Sequence, residues 1–263
     1  MNIPMITAHS GCEETEIDSM ESIELALEYG ADAIEVDVRV DPGKELRISH
    51  DEVSPEEYRQ KLTLRDVLEK ISRSDMILNC DIKEQRALYR TLDEAEKFGF
   101  PAERLIMSGC TGAEQLARDQ SLAKRARFFL NVEEVLKIVL IHRAADFDLK
   151  DFILLMNDPW KLLREKAADL ADTWIDDTVR CYQMIPCSAV NMPKIMLNTP
   201  IAAAMRDAGI PLSVWTVNEP ELIQVCLKED VFNITTRYIR KVLRIRNAAA
   251  SQYELMAKIK AKN

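Results

Sequence analysis

No run in this 263-residue chain approaches 18 apolar residues, so a membrane-spanning helix is not expected. Its start carries neither a basic n-region nor a long apolar h-region, and no export signal is expected. The six cysteines (Cys12, Cys80, Cys110, Cys181, Cys187, Cys226) form no Cys-x-x-Cys pair, which argues against a structural zinc site and suggests a reducing, cytoplasmic setting. No Gly-x-Gly-x-x-Gly opens a helix, which weakens a dinucleotide-binding reading. Positive charge is outnumbered, with 35 Lys and Arg against 44 Asp and Glu. The net charge of −9 is uneven: residues 237–263 carry +7 and leave −16 for the rest. Nucleic-acid binding by the body of the protein is therefore not expected. The basic end reads as a terminal helix packing on an acidic body.

Apolar residues make up 47% of the chain and charged residues 30%, enough for a sizeable core and a wetted surface. Short β-branched runs alternate with helical patterns. Strands are expected at 3–8, 32–38, 45–49, 76–82, 103–107, 127–130, 186–190, 211–216 and 231–235. Helices are expected near 19–29, 63–72, 84–98, 112–122, 132–145, 158–172, 199–208, 219–229 and 239–260. Asp18 or Ser19, Thr63 and Thr111 are candidate N-caps, and Gly30 stands just past the first helix. Asp146 to Asp151 and Trp174 to Arg180 read as loop or insertion. Strand–helix alternation over about eight units predicts a parallel sheet closed into a single-domain (β/α)8 TIM barrel over 1–263, with a basic C-terminal helix. A doubly wound open sheet is the alternative.

Histidine is rare, and the setting of two of the three is informative. His9 ends the run Ile3-Pro4-Met5-Ile6-Thr7-Ala8, and His50 ends Leu46-Arg47-Ile48-Ser49. Between them, Glu35 and Asp37 alternate along a strand and so share one face. Asp81 and Lys83 repeat the alternation in Leu78-Asn79-Cys80-Asp81-Ile82-Lys83. Two imidazoles can supply an acid and a base. Three carboxylates can seat a divalent cation such as Mg²⁺ or Ca²⁺, and the lysine can meet phosphate oxygens. In a parallel barrel all of these would stand at the carboxyl ends of strands, where barrel active sites lie. Read singly, each has a plain structural alternative as a turn histidine, a solvent-facing acid or a local ion pair. Trp215, closing Ser213-Val214-Trp215, either floors such a pocket or packs in the core. His142, inside a helical pattern, reads as structural.

The chain resembles the glycerophosphodiester phosphodiesterase family nearly end to end. The family's His-Arg-Gly is His9-Ser10-Gly11. Its helix-to-strand stretch is matched by Leu25 through Val38, its His-Asp by His50-Asp51, its Asn-Ile-Glu-Ile-Lys by Asn79 through Lys83, and its Val-Trp-Thr-Val-Asn by Val214 through Asn218. The resemblance implies a TIM barrel that uses a cation on Glu35, Asp37 and Asp81 to cut a small-molecule glycerophosphodiester into an alcohol and glycerol 3-phosphate. His9 and His50 would be acid and base, Lys83 a phosphate contact, and Ser10 and Trp215 pocket residues. A homo-oligomer is compatible with it. The departures are Ser10 for the arginine, Ile17 for the glutamate of Pro-Glu-Asn-Thr, Asp81 for the longer glutamate, and Thr236 within the late Thr-Asp-Arg-Pro. They leave open a weakened barrel that binds a phosphorylated ligand or a partner, and a lyase-type relative that forms a cyclic phosphate.

Overall fold

The computed structural model describes residues 3–142, 150, 153, 154 and 172–260. Eight parallel strands form the wall: β1 (Met5–Ala8), β2 (Ala33–Val40), β4 (Ile77–Ile82), β5 (Leu105–Gly109), β6 (Arg127–Asn131), β7 (Ala189–Pro193), β8 (Leu212–Trp215) and β9 (Asn233–Thr236). Pairing of β1 with β2 on one side and with β9 on the other closes the sheet into a barrel, as in the (β/α)8 fold. Around it lie α1 (Met20–Tyr29), α2 (Pro55–Tyr58), α3 (Leu64–Ile71), α4 (Gln85–Phe98), α5 (Ala113–Arg118), α6 (Val132–His142), α7 (Asp172–Met184), α8 (Pro200–Asp207), α9 (Pro220–Lys228) and α10 (Ile239–Lys260).

Cap chemistry explains several boundaries. The Ser19 hydroxyl accepts from Ser22 N at 3.2 Å, and Gly30 ends α1 with φ 72°, a left-handed conformation that costs glycine nothing. Thr63 and Asp66 form a reciprocal capping box on α3. Thr111 does not cap α5; the N-cap is Gly112, and the expected helix 112–122 breaks at Asp119 into a 3₁₀ segment, Gln120–Lys124.

Three further expectations are corrected. The strand near 45–49, β3 (Leu46–Ile48), is not a stave of the barrel. It folds back antiparallel on β2, with Val38 opposite Ile48. The reason is local: only Asp41 to Glu45 separate the two strands, room for a hairpin and not for a crossover helix. Trp174 to Arg180 is not a loop but the middle of α7, where Ile175, Thr178 and Tyr182 are buried at three- and four-residue spacing. The strand expected at 186–190 runs three residues later, after Cys187 and Ser188 turn the chain. The helix expected at 158–172 and most of Asp146 to Asp151 lie outside the described residues.

Side chains of period two turn the odd-numbered positions of β1, β2, β4, β6, β7, β8 and β9, and the even ones of β5, into the barrel. The interior is thereby layered. Ile106, Phe129 and Ala189, with Met5, Ile77 and Phe232 against them, plug its amino end apart from the main core between strands and helices. Above the plug comes a polar layer, and above that the carboxyl-end mouth. The basic α10 packs on the body as expected. Arg246 pairs with Asp32, and Arg240 lies 5.1 Å from the Tyr29 ring.

Candidate active site

A cavity of about 610 Å³ opens at the mouth, lined by His9, Glu35, Asp37, His50, Asp81, Lys83 and Trp215 among others. Continuing each interior file by two residues explains the convergence. Thr7 leads to His9, Glu35 to Asp37, and Asn79 to Asp81 and Lys83. Asp37 and Asp81 are direct neighbours across β2 and β4. One ligand oxygen each from Glu35, Asp37 and Asp81 lie within 4.8 Å of one another.

Three acids this close and this dry repel one another. Burial, with the Asp81 charge adding to it, pushes the Glu35 carboxyl up to about 7. Burial and then the Glu35 charge push Asp37 up to about 8. Burial opposes the charge on Lys83, but Asp81, Asp37 and Glu35 together hold it above the ordinary lysine value. Its ammonium stands 2.7 Å from Asp37 Oδ1 and 2.6 Å from Asp81 Oδ2. One cation is thus shared by two acids, and the buried Asp37 Oδ2 has no hydrogen-bond partner among the described residues. An all-oxygen donor set with surplus negative charge and an orphaned carboxylate oxygen fits a hard divalent cation.

The histidines differ. His9 sits 3.9 Å from Glu35, and its Nδ1 lies 2.9 Å from the Ser10 carbonyl. A carbonyl only accepts, so this contact needs the hydrogen on Nδ1, whereas Arg237 Nε, 3.5 Å from the same atom, would need it bare. The shorter contact favours hydrogen on Nδ1, which leaves Nε2 a lone pair. Burial lowers its pKa below the ordinary histidine value. His50 is exposed and approaches from the antiparallel β3, not from the end of a parallel stave. Its Nδ1 is 2.9 Å from Asp51 Oδ1, and its backbone N donates to Asp18 Oδ2 at 2.8 Å. Ser10 does not line the cavity: its hydroxyl is buried against Asp18, donating to Oδ1 at 2.9 Å and accepting from the Asp18 backbone N at 2.7 Å.

Sequence reasoning missed part of the lining. Arg237 reaches the mouth from the end of β9, with Nε 3.5 Å from His9 Nδ1. Asn131, Glu133, Glu134, Lys137 and Asn191 line the side supplied by β6, α6 and β7. Their signal was the one that exposed Glu35 and Asp37, a polar residue at every second position just past an apolar run, as in Phe129-Leu130-Asn131-Val132-Glu133.

Residues 9–241 match the Glycerophosphoryl diester phosphodiesterase family. The chain belongs to that family. Solved structures agree in fold. A glycerophosphodiester phosphodiesterase from Thermotoga maritima is similar with a TM-score of 0.67 at 18% identity, over 93% of this chain and 99% of that one. One from Parabacteroides distasonis gives 0.64 at 14%, over 95% and 100%. A phosphodiesterase from Oleispira antarctica, in complex with the product sn-glycerol-3-phosphate, gives 0.61 at 16%, over 93% and 97%. None of the curated proteins matches the chain. No helix among the described residues is long and apolar enough to cross a membrane.

Proposed function

We propose that this family member is a cation-dependent phosphodiesterase that hydrolyses glycerophosphodiesters to an alcohol and glycerol 3-phosphate. The observation that carries the reading is the meeting of Glu35, Asp37 and Asp81 with His9, His50 and Lys83 in one cavity. Mg²⁺ or Ca²⁺ held by the three carboxylates would supply positive charge against the phosphoryl oxygens. Lys83 and Arg237 flank the same space and stabilise charge on those oxygens as it grows. Arg237 thereby takes up the phosphate-binding part that Ser10 cannot play. His9, neutral and with Nε2 free, takes the proton of the attacking hydroxyl or water. His50, whose ring stands beside the Asp51 carboxylate, protonates the departing alkoxide.

The test is turnover of glycerophosphodiesters and of bis(p-nitrophenyl) phosphate with and without added Mg²⁺ or Ca²⁺. We expect activity that EDTA removes, and a loss of about a hundredfold or more in His9→Ala, the usual contribution of a proton-transfer group. Full turnover in EDTA, or in His9→Ala, would refute the assignment. Product analysis separates free glycerol 3-phosphate from a cyclic phosphate.

A further inference from the structure

Glu133 lies in the first turn of α6, four staves round the barrel from β1 and so across the mouth from His9. It is 5% exposed. Its Oε1 accepts from Asn131 Nδ2 at 2.7 Å, which is the last link of a directed chain. Thr7 donates to Asn233 at 2.7 Å, Asn233 to Ser213 at 2.9 Å, Ser213 to Asn191 at 2.9 Å, and Asn191 to Asn131 at 2.8 Å. Each donor points toward Glu133, so five staves fix its carboxyl. The other oxygen, Oε2, is buried without a hydrogen-bond partner among the described residues, in a residue that lines the cavity. Leaving such an atom unsatisfied destabilises the free protein, so a ligand that completes it gains what the free protein lacks.

The chemistry narrows the ligand. Oε1 already accepts from Asn131 while Oε2 accepts from nothing, so the proton of a neutral carboxyl falls on Oε2, and burial favours that neutral form by pushing the acid up to about 8. Oε2–H then donates to a ligand oxygen. Beside it the Glu134–Lys137 pair, 2.8 Å apart, offers further acceptors and donors on the same wall. An arm bearing hydroxyls can use all of these. A quaternary ammonium would meet the Lys137 charge, and among the described residues Trp215 is the one Phe, Tyr or Trp of the cavity lining, where an aromatic cage would need several.

We infer that Glu133 is the anchor of a second subsite that receives a hydroxyl-bearing alcohol arm of the phosphodiester, and that it makes the protein select polyol arms over bare ones. The inference rests on the phosphodiesterase reading for the word substrate, but its measurement is one of binding. Glycerophosphoglycerol, with hydroxyls on both arms, and dimethyl phosphate, with none, are titrated calorimetrically into wild type, Glu133→Gln and Glu133→Leu in EDTA, where cation-dependent turnover is stopped. Wild type should bind glycerophosphoglycerol at least tenfold more tightly. Glu133→Leu should shrink that ratio to threefold or less, and Glu133→Gln, which keeps a donor at the site, should hold it within threefold of wild type. A wild type without the preference, or Glu133→Leu with the full preference, overturns the subsite. A Glu133→Leu that unfolds leaves the decision to Glu133→Gln, whose loss of the ratio also counts against the hydroxyl contact. Absence of bis(p-nitrophenyl) phosphate turnover in wild type would instead sink the phosphodiesterase reading and leave the binding ratio standing.

Discussion

At the scale of single residues, Ser10 shows how a changed side chain is built into a site. Its backbone N donates to Glu35 Oε2 at 3.0 Å, while its hydroxyl both donates to and accepts from Asp18. Asp18 in turn takes the His50 backbone N. Ser10 therefore ties a candidate cation ligand to the loop that positions a candidate acid. An arginine at a position only 2% exposed could not make these bonds without opening the loop. Ser10→Ala should leave the buried Asp18 amide and carboxylate each one partner short. The expected cost is about 1–3 kcal/mol in chemical denaturation, with a fall in turnover larger than the fall in substrate affinity as His50 loosens. A variant with unchanged stability and kinetics would show that Asp18 holds the loop without Ser10. The six side chains singled out by residue type and strand period, His9, Glu35, Asp37, His50, Asp81 and Lys83, do line one cavity. Ser10 could not be placed in this way, because a serine in a loop signals neither burial nor direction. Glu133 escaped because a glutamate opening a helix ordinarily serves the helix dipole in solvent.

At the scale of elements, the carboxyl end of β5 controls how close its neighbour may come. Gly109 has φ +76°, and a Cβ there would collide with Asp81 Oδ1 and lie 2.6 Å from the Ile82 carbonyl oxygen. The glycine thus lets β4 deliver Asp81 into the cavity while the chain turns out toward α5. Gly109→Ala combines left-handed strain with a clash against backbone, so a loss of about 1–3 kcal/mol is expected. A Tm equal to wild type would refute that reading. Strand periods and caps made most elements readable, and the errors have physical causes. β3 has the same apolar alternation as a barrel strand, and its direction is set by the short turn before it, not by its own residues. In α7 the buried stripe of Ile175, Thr178 and Tyr182 is interrupted by Asp176 and Asp177 and weakened by a threonine, so the helical period is faint.

At the scale of the whole molecule, barrel closure concentrates charge that the folded chain must tolerate. The wall brings Glu35, Asp37 and Asp81 together with one ammonium among them. Glu35 binds its proton more tightly folded, near 7, than the ordinary value of 4.5, so its contribution to stability is full at low pH and is lost as pH rises through that window. Asp37, raised to about 8, extends the loss upward. The cation-free protein should therefore weaken between about pH 5 and pH 8. A cation that binds only the folded site offsets this, by about 2.7 kcal/mol at a concentration a hundred times its Kd. For a chain of this size that is a rise of roughly 5–10 °C in Tm. Glu35→Gln separates the two effects. It removes a charge from the cluster and leaves an amide oxygen able to accept from Ser10 N. At pH 8 without cation its Tm should exceed that of wild type, and added Mg²⁺ or Ca²⁺ should move it little. At pH 5 the two proteins should melt close together. Differential scanning calorimetry at the two pH values decides the matter. A Glu35→Gln protein less stable than wild type at pH 8 would mean that the cluster is not strained, and one that keeps the full cation shift would mean that it is not the cation's seat.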